Sequence, residues 1–127
     1  MRRVVLIACL LLLAAGWATW SLRAASSSRE LGHPPLNAPR TTIAAVRRNP
    51  VGFAGKTVKL MGRMTERCPS AGCWFYLNDG TGDIRVDAGA GGFSVLGLPM
   101  GARLIVFGTV IQEPGEDPQL AAVGARL

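Results

Sequence analysis

Histidine occurs once in this chain of 127 residues, tyrosine once and cysteine three times. A single histidine, His33, cannot supply the clustered imidazoles of a zinc site. It stands before Pro34 and Pro35 and reads as a solvated residue. Cys68 and Cys73 are spaced Cys-x4-Cys, not the Cys-x-x-Cys of thioredoxin-like enzymes. Gly89, Gly91 and Gly92 are followed by no lysine and no helical pattern, so they form no phosphate loop. Acidic residues number eight against fourteen basic ones, a net charge of +6. From residue 41 onward, however, nine basic residues face seven acidic ones, which leaves +2, too little to require a nucleic-acid partner. Asp79, Asp83 and Asp87 lie in or beside one turn with no histidine nearby. No nucleophile or acid–base pair assembles, and the chain reads as a binding module without enzymatic activity, metal or cofactor.

What is present divides the chain in three. Residues 1–22 read as a signal anchor or signal peptide: Arg2 and Arg3 precede nineteen uncharged residues, 4–22. That run is long enough to span a bilayer of about 30 Å, and Trp17 and Trp20 suit its interfacial belt. Cleavage after Ala18, with secretion, is the alternative. The anchor reading places residues 4–22 in the inner (cytoplasmic) membrane and the domain in the periplasm or outside the cell. Residues 23–40, with Ser26, Ser27, Ser28, Pro34, Pro35 and Pro39, read as a flexible linker. Residues 41–127 read as one folded domain.

Within that domain, period-two alternation predicts strands. Val58, Leu60, Met64, Phe75, Leu77, Ile84 and Val86 share the inward parity and are the expected core. Lys59, Arg63, Arg67, Trp74, Tyr76 and Arg85 are left on one continuous outer face, a candidate binding surface. Thr41 or Thr42 can cap a short helix from Ile43 to Arg48, with Pro50 helping to end it. The fourth strand, Arg103 to Ile111, is apolar on both faces, so something must cover both. The stretch from Gly89 to Gly92 reads as a flexible connection.

The sum is an all-β domain: a five-stranded Greek-key barrel with a short N-terminal helix. The residues Gly55-Lys56-x-Val58-x-Leu60-x-Gly62, Phe75-x-Leu77-x-Asp79-Gly80-Thr81-Gly82-x-Ile84-x-Val86 and Gly101-x-x-Leu104-x-Val106-x-Gly108-x-Val110 carry a resemblance. Residues 42–127 resemble the OB fold of tRNA anticodon-binding domains. Cys68-x4-Cys73-Trp74-Phe75-x-Leu77 is also similar to a group of small exported OB-like proteins of unassigned role. The tethered OB domain of the haem chaperone of cytochrome c maturation carries a C-terminal His-x-x-x-Tyr, which this chain lacks. No haem attachment is therefore implied.

Cys68 and Cys73 flank the first hairpin, and by parity both point inward. Strand ends at that spacing reach disulfide distances, and an oxidising compartment favours the bond. A copper(I) or redox site using Cys68 and Cys73, and free thiols, are the alternatives. Three functional readings follow: an extracytoplasmic OB-fold module for a protein, glycan or small anionic ligand; a single-stranded nucleic-acid binder, as aromatic-basic OB faces imply; and a redox or copper-handling accessory protein.

Overall fold

The computed structural model describes residues 28–127. The expected anchor, residues 4–22, lies outside them. Six strands form among the described residues: β1 Glu30–Gly32, β2 Thr57–Arg67, β3 Trp74–Asn78, β4 Asp83–Asp87, β5 Arg103–Ile111 and β6 Gln119–Arg126. Strands β2 to β6 close a five-stranded barrel. β2 pairs antiparallel with β3 and β5, β3 with β4, and β5 with β6. A parallel pairing of β4 with β6 completes the ring. Alternation places Val58, Leu60, Met64, Phe75, Leu77, Ile84 and Val86 inside, all buried, where they meet Leu104, Val106, Val110, Leu120 and Ala125.

β2 makes closure possible because it serves two neighbours. Residues 57–63 pair with β5 and residues 63–67 with β3. At the crossing stands Gly62, where any Cβ would collide with the carbonyl of Asn78. Just beyond it the register shifts between Met64 and Glu66, a β-bulge that bends the strand.

Each end of the barrel is plugged. At one end lies α1, Ile43–Arg48, with Ile43 and Val46 wholly buried. Thr42 caps it as expected, accepting from the Ala45 amide at 3.1 Å. The β3–β4 turn supplies two further caps: Asp79 accepts from the Ile43 amide at 2.9 Å and the Thr81 hydroxyl from the Ala44 amide at 3.0 Å. Burial raises the Asp79 pKa, but hydrogen bonds from the Thr81 hydroxyl and the Ile43 and Thr81 amides outweigh it and hold the carboxyl below its ordinary value. Pro50 does more than end α1. It occupies the first turn of a second short helix, α2 Pro50–Phe53, capped by Asn49. At the other end, the glycine-rich connection makes a 3-10 turn at Gly89–Gly91 and then buries Val95 and Leu98.

Residues 29–40 depart from the expected flexible linker. β1 pairs with β6, the His33 amide donates to the Val123 carbonyl at 2.9 Å, and Arg40 bridges to Lys59 on β2. Between those points the segment crosses the outer face of β6, β5 and β2 as a strap. It covers the outer side of β5 at Phe107, which has outward parity, is 1% exposed and lies beneath the Arg126 guanidinium at 4.9 Å, whereas Ile111 at the strand's end stays exposed. Gly124, the cross-strand partner of Phe107, lets the strap lie flat, since a Cβ there would strike Pro34.

Two outcomes test these closures. Asp79→Ala removes the acceptor of the Ile43 amide and should cost about 1–2 kcal/mol of stability at neutral pH. Because the folded pKa lies below the ordinary 3.8, this contribution is present above that value and is lost as pH falls beneath it. Denaturation curves of wild type and variant should therefore converge in acid. Gly124→Ala should displace the strap at a cost of about 1–3 kcal/mol, with faster amide exchange at His33; a neutral substitution would return residues 33–39 to the status of a loose linker.

Candidate functional site

The outer face expected to be continuous is divided by the bulge. Cross-strand partners share a face. Tyr76 stands opposite Arg85 on β4 and Glu66 on β2, while Trp74 stands opposite Asp87. Trp74, Tyr76 and Arg85 come together as the sequence implied. The two rings meet edge to face with centroids 6.1 Å apart, and the Arg85 guanidinium lies 5.2 Å over the Trp74 ring. Both aromatics are half-buried.

The other three expected members lie elsewhere. Lys59 sits on the far half of β2, opposite Phe107 and against the strap at Arg40. Arg63 stands at the crossing, opposite both Asn78 and Arg103, and donates to the Gly101 carbonyl at 3.1 Å. Arg67 is a correction. The bulge makes it the partner of the fully buried Phe75, so it points into the barrel end rather than outward. Its Nη1 donates to the carbonyls of Val95 at 3.1 Å, Leu96 at 2.9 Å and Leu98. Arg67 thus fastens the plug. Alternation alone did not single out Glu66, Asp87 and Gln119 beside the aromatics. Gln119, opposite Arg85 on the parallel neighbour, extends the face onto β6.

The cysteines are not joined in the structure: both are free, and the expected disulfide is not shown. Past the bulge the Cys68 amide donates to the Trp74 carbonyl at 3.0 Å, which continues the ladder and turns Cys68 to the outward parity of Trp74. Cys73, one residue before Trp74, keeps the opposite parity. The added residue in β2 therefore turns apart two side chains that simple alternation would have aimed together. Among the described residues no three His, Cys, Asp or Glu side chains converge, and a two-thiolate copper site would need both sulfurs on one side.

Cys68 has chemistry of its own. The Ser70 hydroxyl lies 3.4 Å from its Sγ, and the amides of Ala71, Ser70 and Gly72 also donate toward it. These donors stabilise the thiolate and lower the pKa from 9.0 to about 6. Alkylation of the peptide carrying Cys68 should therefore accelerate as pH rises through about 6 and level off above it. In denaturant the same peptide should titrate near 9.0. A native profile identical to the denatured one would remove the amide turn as its cause.

No protein-family profile matches the chain. No curated protein matches it. Solved structures do: the hypothetical protein ygiW from E. coli superposes with a TM-score of 0.53 over 76% of this chain and 98% of that one, at 16% sequence identity. At that identity the likeness concerns the fold, and the chain is similar to ygiW in being a small OB-like five-stranded barrel.

Proposed function

We propose that this protein is a non-enzymatic binding module, held outside the cytoplasm by its apolar N-terminal segment, and that the Trp74–Tyr76 face takes a neutral glycan. The observation that carries the reading is the aromatic pair. Two half-buried rings at right angles offer an apolar surface with a defined shape. Arg85, Glu66, Asp87 and Gln119 surround it with donors and acceptors, the combination of apolar body and few polar groups that orients a small ligand.

Charge decides between glycan and nucleic acid. A single-strand groove pairs aromatics with positive charge that tracks the backbone. Here one arginine, Arg85, stands among two carboxylates, Glu66 and Asp87, and the Asp83 carboxylate lies one row further along β4. Phosphates would meet net repulsion on this face. An uncharged sugar would meet none and would use the carboxylates as acceptors for its hydroxyls.

Trp74→Ala tests the assignment. Stacking on an aromatic contributes about 1–3 kcal/mol for a nucleobase, and the same scale weakens a stacked sugar about 5- to 150-fold. Because Trp74 is part-exposed, stability should change by less than the roughly 3–5 kcal/mol of a core aromatic truncation. Titration of wild type and variant with a panel of soluble oligosaccharides, alongside one denaturation curve each, separates the two effects. Sugar affinity should be almost independent of salt, whereas a single strand would show a log–log slope of about −0.7 per phosphate. A folded Trp74→Ala protein with unaltered affinity would overturn the assignment.

A further inference from the structure

β5 lies two strands from β3 and from β4 in either direction around the ring, so its outer face is across the barrel from Trp74. There a groove of about 630 Å³ runs between β2, β5 and the end of β6. Met61, Ile105 and Leu127 give it apolar surface, and Arg63, Arg103 and Arg126 border it. Arg63 and Arg103 are direct cross-strand partners. Like charges so placed repel each other and weaken the pairing.

Among the described residues no acidic side chain pairs with Arg63 or Arg103. Arg63, among the described residues, reaches only the Gly101 carbonyl. Among the described residues the Arg103 side chain makes no hydrogen bond or ion pair. Arg126 is engaged by Glu30 at 2.8 Å and by the Pro35 carbonyl at 2.9 Å. Asp79, the acid in the groove wall, has both oxygens committed to the Ile43 and Thr81 amides. Two guanidinium forks therefore face solvent above an apolar floor, an arrangement that suits a phosphate oxyanion attached to an apolar body.

The chain itself indicates where such a ligand would be. Leu127 lines the groove, and its amide donates to the Arg29 carbonyl at 3.0 Å. Only six residues, 23–28, separate Arg29 from Leu22, the end of the apolar run. Fully extended they reach at most about 20 Å. Leu36, 96% exposed, projects from the strap beside the Pro35 that holds Arg126. Exposed leucines beside basic residues are the composition of a membrane-surface contact.

We propose that this groove seats the anionic head group of a phospholipid from the membrane that residues 4–22 occupy, with Arg63 and Arg103 on its phosphate. The inference rests on reading residues 4–22 as an uncleaved anchor. It is independent of the glycan face.

The full-length chain in lipid nanodiscs provides the test. One set holds phosphatidylcholine alone, the other phosphatidylcholine with phosphatidylglycerol. Arginine-selective labelling with phenylglyoxal, read by mass spectrometry, should show Arg63 and Arg103 protected several-fold in the anionic discs, with Arg85 equally labelled in both. Arg103→Gln should abolish protection of Arg63. That variant should also melt no lower than wild type, since it relieves a like-charge pair. Equal labelling of Arg63 and Arg103 in the two discs, with the chain retained, would overturn the groove assignment alone. Protection in neutral discs on adding glycerol phosphate would assign the groove to a soluble anion and overturn the lipid. Chain recovered free of the discs would overturn the anchor reading and the head-group assignment with it.

Discussion

The rest of the structure depends on the bend in β2. This barrel closes through β2, which pairs along different halves with β5 and β3 across Gly62 and the bulge at residues 64–66. The bulge adds one residue, and one residue reverses every side chain after it. Glu66 moves outward beside Tyr76, Arg67 turns inward, and Cys68 turns away from Cys73. One local irregularity thus sets the charge of the aromatic face and the anchor of the glycine-rich plug. Neither follows from composition.

The two plugs solve the same problem by different chemistry. A short barrel leaves its ends open, and the buried residues there would otherwise meet water. At the α1 end, apolar Ile43 and Val46 fill the opening, and the helix amides find acceptors in Asp79 and Thr81 of the β3–β4 turn. At the other end a loop fills it, and a loop has no internal pairing for its carbonyls. Arg67 supplies that pairing with three of them. The Asp-Gly-Thr-Gly turn and the arginine are therefore complementary: an acceptor set for a helix start and a donor fork for an irregular strand.

Much of this was legible in the residues. Alternation located every core position of β2 to β4, Thr42 marked the helix start, and the two-faced apolarity of Arg103–Ile111 announced a cover on its outer side. The cover itself was missed because prolines and serines resemble a linker when read alone. The strap holds on through carbonyls and a few amides, as in Pro35 to Arg126 and Pro39 to Lys59, and such bonds leave no hydrophobic period. Gly124 opposite Phe107 was its nearest trace. The candidate face was half legible for the same reason: Trp74, Tyr76 and Arg85 lie on two regular strands, whereas Arg67 and Cys68 lie beyond a bulge that has no marker residue.

Charge is sorted around the barrel more sharply than a domain net of +2 suggests. The outer faces of β3 and β4 carry Asp83, Asp87 and Arg85, with Glu66 adjoining from β2. The opposite side carries Arg63, Arg103 and Arg126, with Arg40 and Lys59 nearby on the strap crossing. Such a distribution gives the domain an electrical direction. Near an anionic bilayer the arginine side is drawn inward and the acidic side repelled, over distances of about 8–10 Å at physiological ionic strength. With residues 4–22 in the membrane as proposed, a tether as short as residues 23–28 would keep the barrel within a few such lengths of the surface. The same field that would bring the arginine groove to the lipid would turn the Trp74–Tyr76 face away from it, toward the space in which an extracytoplasmic sugar is found. The two proposed sites would thus be compatible in one orientation, with the strap that links β1 to β2 across β5 joining the barrel to the proposed tether.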